Sequence, residues 1–338
     1  MKLKVVFIKS LFAFFMLLLF AAKLEAQSTQ IRGFAEALAG YQQDKLSFGL
    51  GEQDLFITSE LSDKVSFLGE SVFKYTGNSP TYFDVSIERI VIKYNIKGNN
   101  NFLIGKHHTP INYWNDTYHH GRVFFPTIYR PALFAADIIP LHTTGISFQG
   151  HDFGKIKFGY DLMIGNGIGS SDVADNDKYK SVTAAIHIKP ADGLRLGASW
   201  YNDHISEGAS MHGETINYDV KQNLITGSVA YFHNKIEVLS EATLAMNHTD
   251  TTGTQNTIAA YFYAGYKIKE KWVPYIRIDY LKYEEGEVYY HNNNTTAFVG
   301  GLRYQINYLA VIKVEYEHDD QHATGLTDKY TMQFAIGF

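Results

Sequence analysis

The chain has 338 residues, with 30 Lys and Arg against 35 Asp and Glu, a net charge of −5 and 0 Cys. That balance argues against a nucleic-acid partner, which would call for a basic face. The lack of Cys excludes a disulfide framework and a thiolate zinc site. Tyr (24), Phe (23) and Gly (28) are abundant while the chain stays hydrophilic on average, a balance that fits a membrane barrel, where only alternate residues meet lipid.

Lys2, Lys4 and Lys9 precede an apolar run over 11–22, and Ala26 offers a small residue for cleavage. This predicts a signal peptide over 1–26. The competing reading, an uncleaved anchor, needs about 20 apolar residues. Removing 1–26 takes out four Lys and one Glu, which moves the net charge from −5 to −8. No Pro- or Ser-rich linker divides 27–338, so the remainder reads as one domain.

Alternating segments of about ten residues follow, the length of a tilted membrane strand. The first four lie near 31–41, 54–61, 64–75 and 82–96. In the fourth, Ile90, Ile92, Tyr94 and Ile96 oppose Arg89, Val91, Lys93 and Asn95. A fifth, 102–107, runs into a long segment, and 143–148 and 155–164 come after it. Further segments lie near 179–188, 194–201, 217–231, 236–247 and 257–268. The last four are 272–283, 296–305, 308–318 and 329–338. The count is about sixteen, an even number as in bacterial barrels.

Short turns at 62–63, 98–101, 190–193, 233–235, 269–271 and 307 alternate with longer polar connections at 76–81, 165–178, 202–216, 248–256, 284–295 and 319–328. A barrel with short turns at one end and longer loops at the other has this parity. A large secreted sandwich or propeller is the alternative, and it has no reason to keep the alternation. The predicted fold class is therefore all-β, a transmembrane antiparallel β-barrel of about 16 strands.

The segment 107–140 fits neither a strand nor an amphipathic helix, and it holds four of the 7 prolines. A connection this long in a compact fold is functional or disordered, and this one is too aromatic for disorder. We expect it to fold into the lumen, with Phe124 and Phe125 packed on the wall and Pro126 and Pro131 stiffening its path.

The apparent signal peptide, the loop parity and the ending YTMQFAIGF resemble the outer-membrane porins of Gram-negative bacteria, in particular the porin-like proteins of Bacteroidota. The resemblance implies that the alternating last strand, with Tyr330, Phe334 and Phe338, is the signal read by the barrel-assembly machinery. It also implies a bacterial outer-membrane location, contact with outer-membrane lipid and a possible homotrimer. In such porins the loop between strands 5 and 6 folds inward and narrows the pore, which is where 107–140 falls in the independent count.

The candidate constriction residues are His107, His108, Trp114, His119, His120, Arg122 and Arg130. Inward faces carry Arg89, Lys93, Lys155, Lys157, Arg195, Arg277, Arg303 and Lys313, with Glu70 and Glu315 among fewer acids. Charge rings set pore selectivity, so this count favours anions mildly. A solvated wall with little selectivity is the equal alternative. The His pairs read as structural hydrogen bonders rather than metal ligands, because adjacent residues on extended chain point to opposite sides. No cofactor is implied, and no GxSxG, HExxH or P-loop supports an enzyme. Two functions remain: a passive diffusion channel for small hydrophilic solutes or ions, and a non-conducting barrel for binding, adhesion or structure.

Overall fold

The computed structural model describes residues 28–76, 82–118, 121–211, 214–290, 293–321 and 325–338. The expected signal peptide over 1–26, and His119 and His120, lie outside the described residues.

The first half of the chain supplies β1 (Ser28–Gln42), β2 (Lys45–Glu60), β3 (Val65–Tyr75), β4 (Phe83–Lys97), β5 (Asn100–His108), β6 (His142–Phe153), β7 (Phe158–Gly165), β8 (Ser181–Ala191) and β9 (Leu194–Ile205). A two-residue hairpin, β10 (Ser210–Met211) with β11 (Glu214–Thr215), forms a sheet of its own. The second half supplies β12 (Val220–His233), β13 (Ile236–Thr249), β14 (Gly253–Tyr266), β15 (Trp272–Tyr283), β16 (Thr295–Asn307), β17 (Ala310–Gln321) and β18 (Gly325–Gly337).

Apart from β10 and β11, these strands form one closed antiparallel barrel of sixteen. β18 closes on β1, where Gly33 and Phe338 exchange two backbone hydrogen bonds of 2.9 Å. Closure removes every sheet edge, which a lipid environment requires because it offers the backbone no partner.

The two faces follow from the alternation. In β15, Val273, Tyr275, Arg277, Asp279, Leu281 and Tyr283 are buried inward, while Trp272, Ile276, Ile278 and Tyr280 are exposed outward. The expected outer face of β4 is exposed too, from Ile90 through Ile92 and Tyr94 to Ile96. An apolar belt around a closed barrel is a lipid-facing surface.

The end that holds the chain's last residue carries the turns 61–64, 98–99, 154–157, 192–193, 234–235, 267–271 and 308–309. The other end carries the long connections 109–141, 166–180, 206–219 and 284–294. On the wall beside the longest of these, Gly105, Gly145 and Gly165 stand opposite one another across β5, β6 and β7. A Cβ at Gly105 would come within 1.9 Å of the Ile90 carbonyl oxygen, and its φ is +128°.

Three expectations need correction. First, the second strand, expected near 54–61, begins at Lys45: β1 and β2 meet in a tight turn at Gln43 and Asp44, both left-handed at φ 50° and 59°. Leu46, Phe48 and Leu50 face outward there, and their inward partners are small. Gly51 must be small, since a Cβ would fall 2.0 Å from Glu36. Second, 248–256 and 319–328 are largely strand, because β13, β14, β17 and β18 run on with polar residues past the apolar belt. Third, β7 begins at Phe158, so Lys155 and Lys157 are exposed residues of the turn 154–157 and not lumen-wall residues.

Candidate functional site

The connection between β5 and β6 enters the barrel. It carries α1 (Tyr113–Thr117), a 3-10 turn (Arg122–Phe124) and α2 (Ala132–Ala135). Its neck is held by Asn115, whose amide nitrogen donates to the Thr109 and Leu141 carbonyls at 2.9 and 3.0 Å. One side of the loop is apolar. Ile111, Trp114, Phe125, Leu133, Phe134 and Ile138 are almost fully buried in a core shared with wall residues such as Tyr201, Leu239, Tyr261 and Tyr275. Trp114 sits 5.4 Å from the Phe125 ring and 5.9 Å from Tyr261. Burying each such side chain stabilises the docked loop by about 1.5–3 kcal/mol.

The loop's backbone polar groups also need partners, and charged wall residues supply them. Glu241 on β13 accepts the amides of Tyr113 and Trp114 and the hydroxyl of Tyr261. Glu315 accepts the Ile128 amide at 2.6 Å, and Asp279 that of Ala132 at 3.4 Å. Arg277 donates to the Thr127 hydroxyl and the Tyr129 carbonyl, both at 2.7 Å. Lys313, fully buried, donates to the Arg122 and Thr127 carbonyls at 2.7 and 3.1 Å. Arg303 reaches the Pro126 carbonyl at 3.2 Å while holding Glu237 with a guanidinium nitrogen at 2.6 and 2.8 Å. Arg195 pairs with Asp116 at 3.2 Å.

Arg195, Arg277, Arg303 and Lys313, expected to line an open pore, therefore all bind the inserted loop. Of the eight expected cations, only Arg89 and Lys93 border the open space described below.

The opposite side of the loop is cationic and meets an acidic wall. Arg122 lies 3.0 Å from Glu52 and 3.7 Å from Glu36. Burial, reinforced by the nearby Arg122, lowers the Arg130 guanidinium to about 10, against the pull of Glu52, Glu88 and Asp54. It stays charged at neutral pH. Glu88 also pairs with His142 at 3.2 Å, and the His142 ring lies 5.4 Å from that of His108. His107 Nε2 is 3.3 Å from the Ser147 hydroxyl, and its Nδ1 is 3.2 Å from the His108 carbonyl. His107, His108, Arg122 and Arg130 are thus brought into one polar band, whereas Trp114 belongs to the apolar core.

Beside this band, between the loop and β1–β7, is a cavity of about 780 Å³. It reaches from the turn at Leu61, Ser62 and Asp63 to His107, His108 and Pro110. Much of its lining is neutral and polar, including Ser59, Ser66, Ser147 and Gln149, and its charged residues are Glu60, Asp63, Arg89, Lys93, Asp116 and Asp161. Arg89 is itself bound to the buried Glu70. Sequence reasoning did not single out Glu36, Glu52, Glu88, Glu241 or Asp279. For Asp279 a signal existed, since it shares the strand parity of Arg277.

Fold, lipid-facing belt and inserted loop together define a class: a porin-like β-barrel of the bacterial outer membrane. No protein-family model matches the sequence, and no curated protein matches it either. Solved structures match over nearly the whole length. An anion-selective porin from Comamonas acidovorans is 10% identical with a TM-score of 0.68, covering 92% of this chain and 100% of that one. The outer membrane channel DcaP of Acinetobacter baumannii is 12% identical with a TM-score of 0.67, covering 92% and 97%. A trimer form of in-vitro folded OmpT, an outer membrane protein of Vibrio cholerae, is 13% identical with a TM-score of 0.65, covering 93% and 100%.

Proposed function

We propose that the protein is a passive diffusion channel for small hydrophilic solutes, with the β5–β6 loop as its constriction. The observation that carries this reading is the polar cavity of about 780 Å³ beside a loop locked onto the far wall. Solute would move along β1–β7, past His108 and His142, to the band where Arg122 and Arg130 face Glu52 and Glu88. The similar porin and channel structures support the reading through fold alone.

The proposal includes export with loss of 1–26, recognition of Tyr330, Phe334 and Phe338 by the assembly machinery, and a homotrimer, which the OmpT trimer form supports. Membership among the porin-like barrels of Bacteroidota rests on sequence resemblance. The anion preference expected from counting wall residues is not part of the proposal, since four of those cations hold the loop and two lie in a turn.

A second reading, a non-conducting barrel for binding or structure, draws on the apolar core that fills the lumen from β9 to β15. Purified protein in a planar bilayer separates the two. Stepwise current is expected, and a silent bilayer with correctly folded protein would favour the second reading.

A further inference from the structure

We infer that the channel prefers cations, and that Asp116 and Asp161 are the residues that set this preference. The inference deepens the channel reading and rests on it. Glu60, Asp63, Asp116 and Asp161 border the cavity, against Arg89 and Lys93. Adding the nearest partners, Arg195 at Asp116 and Glu70 at Arg89, leaves the same excess of acid. The larger set of wall cations cannot compensate, because Arg277, Arg303 and Lys313 are buried under the loop and bonded to its carbonyls.

Asp116 and Asp161 hold a particular position. Asp116 comes from the short helix α1 and Asp161 from the inward face of β7. With Pro110 they border both the large cavity and a smaller one that leads toward His187 and Arg195. A mobile ion in the cavity therefore passes one carboxylate on the loop and one on the wall. Fixed charges beside a narrow aqueous path raise the local concentration of the opposite ion. The ligand class is small monovalent cations and positively charged solutes.

The experiment is the reversal potential of the full-length mature protein in a planar bilayer under a potassium chloride gradient. The sign is expected to be that of potassium permeation. D116N/D161N should lower the potassium-to-chloride permeability ratio by roughly two- to fivefold, while D116E/D161E, which keeps both charges, holds it. Should the double variant fail to fold, K93Q tests the same field from the other side and should raise the ratio. A chloride-selective wild type, or a D116N/D161N channel with an unchanged ratio, overturns the inference and leaves the channel reading standing. Absence of any current overturns the channel reading and this inference with it.

Discussion

Glu241 shows how a single wall residue holds the constriction in place. Its carboxylate accepts two successive amides at the start of α1, and those N–H groups have no partner within so short a helix. Replacing it with Gln removes the charge and turns part of the acceptor into a donor facing donors. A hydrogen bond to a charged group contributes about 1.5–3 kcal/mol. E241Q should therefore raise the population of undocked loop by roughly tenfold or more. Limited proteolysis in detergent reads this directly, as faster cleavage near Tyr113 and Trp114 with the barrel still closed. Unchanged cleavage would remove Glu241 from the anchoring set. Lys313 plays the complementary part, donating hydrogen bonds to the carbonyls of Arg122 and Thr127.

At the scale of the element, the last strand separates assembly from stability. Phe338 is 56% exposed on the outer surface, and Tyr330 and Phe334 lie on the same face. Its ring sits over Gly33, where a Cβ would meet it at 2.4 Å, while its backbone closes the barrel. Truncating an exposed ring removes little packing, so F338A should shift the stability of refolded protein by less than about 1 kcal/mol. If the machinery reads that residue, the yield in the outer membrane falls sharply all the same. A normal outer-membrane yield would count against the assembly role.

Strands were the legible part of this molecule. In β4, Ile90, Ile92, Tyr94 and Ile96 share one face opposite Arg89, Lys93 and Asn95, and in β15 Arg277 and Asp279 share the face opposite Trp272, Ile276, Ile278 and Tyr280. Where the inward partners are Ser and Gly, as opposite Leu46 and Phe48, the contrast fades and half of β2 went unseen. The position of the loop was legible from strand count, and its polarity from Arg122 and Arg130. Its anchoring was not. Arg277 meets Thr127 across 150 positions and Lys313 meets Arg122 across 191, and nothing local marks a wall cation as bound rather than open to the pore.

For the whole molecule, barrel and plug are separable in principle. Every barrel strand pairs with its neighbours around the ring without help from the loop, and the Thr109 amide already bonds the Leu141 carbonyl at 3.1 Å across the neck. Residues 111–139 can therefore be replaced by a short Gly-rich turn that leaves the β5–β6 pairing intact. Such a barrel should still close and still migrate differently boiled and unboiled, because its outer surface is unchanged. Its lumen would lose the Trp114 cluster and open the far half of the cross-section, so single-channel conductance should rise several-fold, roughly in proportion to the open area. Stability should fall, since Tyr201, Leu239 and Tyr263 would then face water, each at a cost of about 1.5–3 kcal/mol. Released from the loop, Arg277, Arg303 and Lys313 would join the aqueous wall. Ion preference should then move toward anions as conductance rises. A deletion variant with wild-type conductance would show that the loop does not set the narrowest point. One with larger conductance and unchanged selectivity would show that the anchoring cations do not reach the permeating ion.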